Sequence, residues 1–595
     1  MEKLRKDVDD KYKWDLTKIY INGEEVEKDI SKIKNLTKEV TSYKTHLMDD
    51  SKTLYEATEK YHELMRIMDK LMVYANMKFH EDMANKESEK LVGILDKLTD
   101  QISEKLAFFL PELLNHDYEE IEKYIKENKS LEKYTFTFKE IFREKDHTLS
   151  LKEEELLARL GEVFQIPEDT FHMLDDVNLT FEDITDENGD KVKLTNSNYS
   201  KYIKSNNRKV RKEAFDSMLT AYKNLKNTFA TLLKGNTKSN FFISNTRKYN
   251  SPLEMSLYGD NIDKKLYTEL IEKVHANLDI NYEYMKVRKQ ALNLDHLHMY
   301  DVYAPLIKDI EKEYTYEEAK DLVIKALSPL GKDYIDNLKK IFESGAVDVF
   351  YNKNKRSGAY SWGSYDTLPY VLLNFEGKFT DVSTIAHELG HSMHSFYSNK
   401  NQGYEDHSYP IFLAEIASTV NEILLNKYAS ENAKSKEEKA FYLNNLLENF
   451  RTTLIRQTMF AEFELLIHDL EEQGEVLTEE LLSETYLKLN QKYFGDEVIS
   501  DELIKYEWAR IPHFYTSFYV YKYATGISVA ASIVSDILSG KEKALENYIE
   551  FLSSGGKDFP LEILKKTGID IVNDDTIDKA LNMYRETLEE FKKLI

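Results

Sequence analysis

The stretch "TDVSTIAHELGHSMHSF" (380–396) places His387, Glu388, His391 and His394 within eight positions of a chain with 15 histidines in 595 residues. An α-helix turns about 100° per residue, so with His387 at zero, His391 falls near 40° and His394 near 340°. The three imidazoles then share one face. His387 and His391 stand one turn apart, which suits two ring nitrogens gripping a single ion. Glu388 lies at about 100°, on the flank, where it can reach a water without binding the metal itself. Ile385, Leu389, Met393 and Phe396 cover much of the remaining circumference, so the helix is expected to be buried on several sides. Burying two histidines and a glutamate is costly unless something pairs with them. A metal ion would. A chance HExxH is expected only about 0.05 times in a chain of this composition, so the metal reading outweighs an ordinary polar helix face.

Two ligands need a third. A metzincin requires HExxHxxGxxH, but here the glycine slot holds His394 and the last histidine slot holds Tyr397. The other common solution is a glutamate on a following helix. "YPIFLAEIASTVNEILL" (409–425) offers Glu415, with 23 residues between it and His391. Ile411, Phe412, Leu413 and Ile416 crowd it, so it is expected to be embedded and to need the cation. Glu422, seven residues on, lies on nearly the same face. It can hold a ligand histidine from outside the metal's own ligand shell or simply face solvent.

The elements that position these residues read as a strand followed by a helix. "VDVFY" (347–351) and "LPYVLLNF" (368–375) are β-rich, with a turn-prone stretch, "NKNKRSGAYSWGSYDT" (352–367), between them. Glu376-Gly377 turns the chain, and Thr380 or Asp381 can cap the histidine helix. Elsewhere the pattern is helical. "LYEATEKYHELMRIMDKLMVYANMKF" (54–79) is amphipathic, and the helix over 90–114 is interrupted at Pro111. A hairpin is expected at 177–199, with Ile184, Val192 and Leu194 alternating around the Asn188-Gly189 turn. A soft boundary falls near 200, and helices continue from about 206 to 343. "SSGGKDFP" (553–560) is the clearest late loop.

Composition excludes several classes. With 81 basic and 106 acidic side chains, the formal charge is −25. A surface that acidic repels nucleic acid and anionic membrane, and short clusters such as "NNRKVRK" (206–212) form no basic stripe. There is no cysteine, which excludes disulfides, thiolate metal sites and cysteine nucleophiles. The N-terminal residues lack the apolar core of a secretory signal, and no run approaches 18 apolar residues. The expectation is a cytoplasmic protein with neither nucleic acid nor membrane as partner.

"HELGHSMH" (387–394) followed by "FLAEIAST" (412–419) resembles the thimet oligopeptidase family of zinc peptidases, in its bacterial oligoendopeptidase F branch. "DKYKWDLTKIY" near the start, "YSWGSYDTLPYVLLNFEGKFTDVSTIAHELGH" (360–391), "EWARIPHFYTSFYVYKYATG" (507–526) and "PLEILKKTGIDI" (560–571) read like family segments, so the likeness spans nearly the whole chain. It implies a mainly α fold of two helical lobes, with a deep channel and a small β-sheet beside the HExxH helix. It also implies one Zn²⁺ per chain held by His387, His391 and Glu415, with Glu388 as general base and acid, and short oligopeptides as substrates. Three segments are expected: 1–115, 116–200 with the branch's N-terminal domain, and a catalytic 201–595. In the family a histidine and tyrosines of the 513–526 region stabilise the tetrahedral intermediate, and His513 and Tyr521 match best by position. Tyr515 and Tyr519 are further candidates to line the site. Substrate is expected to add as a strand along 368–375 or the preceding segment with Gly358 and Tyr360. His394 is expected to neighbour the metal and touch substrate. Alternatives are a zinc exopeptidase, for which no GxMEN-like anchor is present, and a helical scaffold with a structural metal. The sequence leaves monomer or homo-oligomer open.

Overall fold

The computed structural model describes residues 3–307 and 312–595. Among the described residues the chain is mainly α-helical with three small sheets. It folds into two compact units, each built from three stretches. The first unit comprises Met1–Asp146, Lys312–Leu425 and Asp536–Gly568; the second comprises His147–Glu311, Asn426–Ser535 and Ile569–Ile595. These units cut across the contiguous segments 1–115, 116–200 and 201–595 expected from the sequence.

In the first unit, the long helix Ser51–Glu81 begins at Asp50, whose carboxylate accepts from Thr53 N at 2.7 Å. Pro111 sits in the first turn of a separate helix, Phe109–Leu114, after Lys86–Leu106 has ended. There its missing N–H costs nothing, because first-turn N–H groups have no intrahelical partner. In the second unit the expected hairpin is present but short. Strand β1 (Ile184–Thr185) pairs antiparallel with β2 (Lys191–Val192), with Ile184 opposite Val192 and Gly189 at φ +87° in the turn. Strands β3 (Leu297–His298) and β7 (Val498–Ile499) form a parallel pair.

The sheet that matters for the site lies in the first unit, in the order β4 (Val347–Asp348), β6 (Tyr370–Leu372), β5 (Tyr360–Trp362). Two expectations change here. The turn-prone stretch 352–367 contains a strand, β5. Moreover, β6 is the central strand, so 368–375 offers no free edge, and β5 has the open one. Val371 N donates to Ala346 O and Leu373 N to Asp348 O, both at 2.8 Å. Residues 371 and 373 therefore face β4, while Tyr370 and Leu372 pair with Trp362 and Tyr360. By alternation, the backbone polar groups of Ala359 and Ser361 point to the open side.

The sheet is tied to the N-terminal segment. Arg5 pairs with Asp348 at 2.6 Å and Glu81 at 2.8 Å, Lys355 pairs with Asp348 at 2.6 Å, and Trp14 Nε1 donates to Glu81 at 2.6 Å. Gly377 turns the chain after β6 at φ +96°, where a Cβ would stand 2.9 Å from Tyr314 O. The histidine helix, Phe379–Asn401, follows. Its cap residue is Lys378, not Thr380 or Asp381; Asp381 acts from the third helical position, its Oδ2 accepting from Lys378 N and Glu376 N at 2.9 Å.

Candidate metal centre

The next helix, Ile411–Glu431, crosses the histidine helix at Gly390. A Cβ at that position would lie 2.5 Å from Ser418 Cα and 2.6 Å from Ala417 O, so only glycine permits the approach. Asn421 fixes the register, its Nδ2 donating to Ala386 O at 2.9 Å while Tyr334 Oη donates to its Oδ1 at 3.1 Å. That contact brings Glu415 to the two histidines.

The imidazoles converge through their Nε2 atoms, 3.2 Å apart. Glu415 Oε2 stands 3.6 Å from His387 Nε2 and 3.7 Å from His391 Nε2, and the three donor atoms lie within 4.8 Å of one another. The far nitrogen of each ring is engaged. His387 Nδ1 meets Glu422 Oε1 at 3.2 Å, and His391 donates to the Ala414 carbonyl. With a cation between them and the proton on Nδ1 of each ring, both Nε2 atoms would present lone pairs to the same point beside a carboxylate oxygen. Three acceptors aimed at one point fit a divalent cation, and two imidazoles with one carboxylate are the donor set of open zinc sites. Glu415 itself is not embedded as expected: its side chain is 40 % exposed, and Ser418 Oγ donates to its Oε2 at 3.1 Å.

Glu388 is 8 % exposed, and burial pushes its carboxyl above the usual range, opposed by the neighbouring His387. The Ser361 backbone N–H, on the open side of β5, lies near its carboxylate and partly offsets that rise. Ser361 Oγ meets Ser392 Oγ at 2.8 Å, and Ser392 Oγ bonds Glu388 O at 3.0 Å, pinning the strand to the helix. Ser361, Ser392 and Asn421 escaped the sequence reading; only the alternation within "GAYSW" hints at the strand that presents Ser361.

Several expected site residues stand apart from the metal group. His394 is 0 % exposed; its ring stacks on Tyr409 at 3.6 Å and packs on Phe551, and burial pushes its pKa down to about 3. It is a neutral core residue that substrate cannot touch. Tyr360 points to the opposite face of β5 from Ser361, with its hydroxyl on His80 Nδ1 at 2.8 Å. Gly358 is exposed at φ +80°, with open space where a Cβ would stand.

In the second unit, His513 and Tyr519 are half-buried with ring centroids 6.4 Å apart, and Tyr523 lies 6.0 Å from His513 and 5.5 Å from Tyr519. Tyr521, the best positional match, is 0 % exposed with its ring 5.2 Å from Tyr267. Tyr515 is buried with its ring 4.7 Å from Phe171. The helix carrying Tyr521 starts only at that residue, after Phe518 takes the left-handed conformation at φ +60°, and its ring turns into the core.

A chain whose HExxH helix, following glutamate and edge strand meet in this way belongs among the metallopeptidases. Residues 201–583 match the model of peptidase family M3, and residues 112–181 match that of oligopeptidase F. The chain belongs to peptidase family M3 and is a metallo-oligopeptidase. It is 40 % identical to oligopeptidase PepF of Bacillus subtilis, over 98 % of this chain and 87 % of that protein. It is 37 % identical to group B oligopeptidase PepB of Streptococcus agalactiae, over 100 % of this chain and 99 % of that one. The crystal structure of oligoendopeptidase-F from Enterococcus faecium superposes with a TM-score of 0.74 at 33 % identity, covering 96 % of this chain and 99 % of its own. A solved chain from Chlamydophila abortus superposes at 0.94 with 39 % identity over the full length of both.

Proposed function

We propose that this protein is a zinc-dependent endopeptidase that hydrolyses internal bonds of short oligopeptides. The observation that carries the reading is the meeting of His387, His391 and Glu415 beside a buried Glu388 at the open edge of β5. His387, His391 and Glu415 would hold the ion. A bound zinc supplies Lewis-acid polarisation of the scissile carbonyl and acidifies the attacking water. Glu388, with its basicity raised by burial, takes the proton of that water and returns it to the leaving amine. Glu422 keeps the His387 Nε2 lone pair turned inward. A peptide pairing with the backbone of Ala359 and Ser361 would lay its carbonyl by Glu388. His513 and a tyrosine of its segment are the proposed oxyanion donors, on the family resemblance. A cytoplasmic location goes with a chain without cysteine.

The test uses a peptide of about ten residues blocked at both ends, with products read by mass spectrometry. Internal cleavage that stops with 1,10-phenanthroline and returns with zinc is expected. Resistance of the blocked peptide, with terminal trimming of its unblocked twin, would replace the endopeptidase with an exopeptidase.

A further inference from the structure

Upstream of Glu388, the first turns of the histidine helix border a cleft of about 220 Å³ lined by Gly358, Ala359, Leu373, Phe375, Asp381 and Thr384. The proton transfers at Glu388 and the three proposed ion ligands leave it unused. Its walls are apolar at Ala359, Leu373 and Phe375. Its polar groups are acceptors. Asn374, also in the lining, donates from Nδ2 to Arg356 O at 3.0 Å and Gly358 O at 2.8 Å. This fixes the amide, and its buried Oδ1 has no hydrogen-bond partner among the described residues. Asp381 brings a carboxylate whose Oδ2 takes two backbone N–H groups, and Thr384 Oγ1 spends its proton on Thr380 O at 3.0 Å. The nearby cations are engaged elsewhere. Arg356 Nη1 meets His80 Nε2 at 2.8 Å, and Lys378 Nζ pairs with Glu376 at 3.3 Å. The cleft therefore combines apolar walls with the Asp381 carboxylate and an Asn374 oxygen that has no partner among the described residues. A long aliphatic stem with a cationic head matches it.

Its position relative to the chemistry follows from the strand. Ala359 and Ser361 point the same way from β5, and Ser361 N–H lies near Glu388. Ala359, at the cleft, lies two residues along the edge, roughly 7 Å at strand spacing. We propose that this cleft is a specificity subsite for an arginine or lysine side chain of the peptide substrate, about two residues from the scissile bond and on the same side of it in every cut. The inference rests on the endopeptidase reading, with the peptide along β5.

The experiment is digestion of a doubly blocked peptide library by the zinc-loaded wild type, followed by kinetics on a matched pair of peptides carrying Arg or Leu at the enriched position. Arg and Lys should be enriched at one position about two residues from the cut. Asp381→Asn keeps an acceptor for the helix cap and removes the charge. It should lower kcat/KM for the Arg peptide about fivefold, mainly through KM, and leave the Leu peptide within about twofold. Thr384→Leu narrows the cleft without changing charge and should lose the same selectivity. Cleavage without positional enrichment of basic residues, or variants that slow both peptides equally, would overturn the subsite and leave the endopeptidase standing. Failure of the wild type to cut any blocked peptide would remove the endopeptidase reading itself and with it the premise of the subsite.

Discussion

The histidine helix and the 513–523 segment both carry a histidine among aromatic residues, yet sequence spacing translates into geometry in only one of them. Along Phe379–Asn401 the backbone is regular, so positions 387 and 391 had to stand one turn apart, and their Nε2 atoms do meet at 3.2 Å. In the second segment a short turn at Pro512–Tyr515 gives way to an irregular stretch with Phe518 at φ +60°, its N–H held by buried Glu464 at 2.9 Å. One residue in the left-handed region redirects everything after it. Tyr519 and Tyr523 end beside His513, while Tyr521 turns into the core. Spacing is a reliable guide to a site only across unbroken secondary structure.

The comparison can be pressed by substitution. His391→Ala removes a group whose place spacing alone defines, and should abolish bound zinc and cut turnover by at least about 10³; zinc analysis and peptide hydrolysis would show it. In the irregular segment, Tyr519→Phe or Tyr523→Phe should cost about 10²-fold in kcat if that hydroxyl serves the oxyanion, whereas Tyr521→Phe should stay within about twofold. A large loss from Tyr521→Phe alone would restore the positional match and reverse the comparison. Glu422→Gln weakens the hold on His387 Nδ1, and zinc affinity measured by competition should fall about 10–100-fold. The smallest effect belongs to His394→Phe. An aromatic ring in the stack on Tyr409 removes two buried ring nitrogens that have no hydrogen-bond partner among the described residues, so activity should stay within about twofold and the melting temperature should hold or rise.

Other parts of the molecule were legible to different depths. The helical pattern, the hairpin at Ile184 and Val192, and the strand-then-helix order around the site follow from periodicity and turn residues, which act locally. Strand β5 was hidden because three residues amid glycine and serine carry no period, and its order beside β6 depends on long-range pairing. Glu415 was found for a reason the structure does not support. Apolar neighbours suggested burial, yet the carboxylate is 40 % exposed. The close crossing at Gly390 is what delivers it. His394 shares a helical face with the ligands but lies almost a full turn past His391, where Tyr409 and Phe551 close over it. A helical wheel gives direction and says nothing of what the next element covers.

The central claim is that Glu388 moves protons at a centre held by other residues. Glu388→Gln, assayed together for zinc content and for hydrolysis of a doubly blocked peptide, tests it most directly. The account predicts close to one zinc per chain with turnover reduced by about 10³ or more. Hydrolysis near the wild-type rate with zinc retained would contradict it.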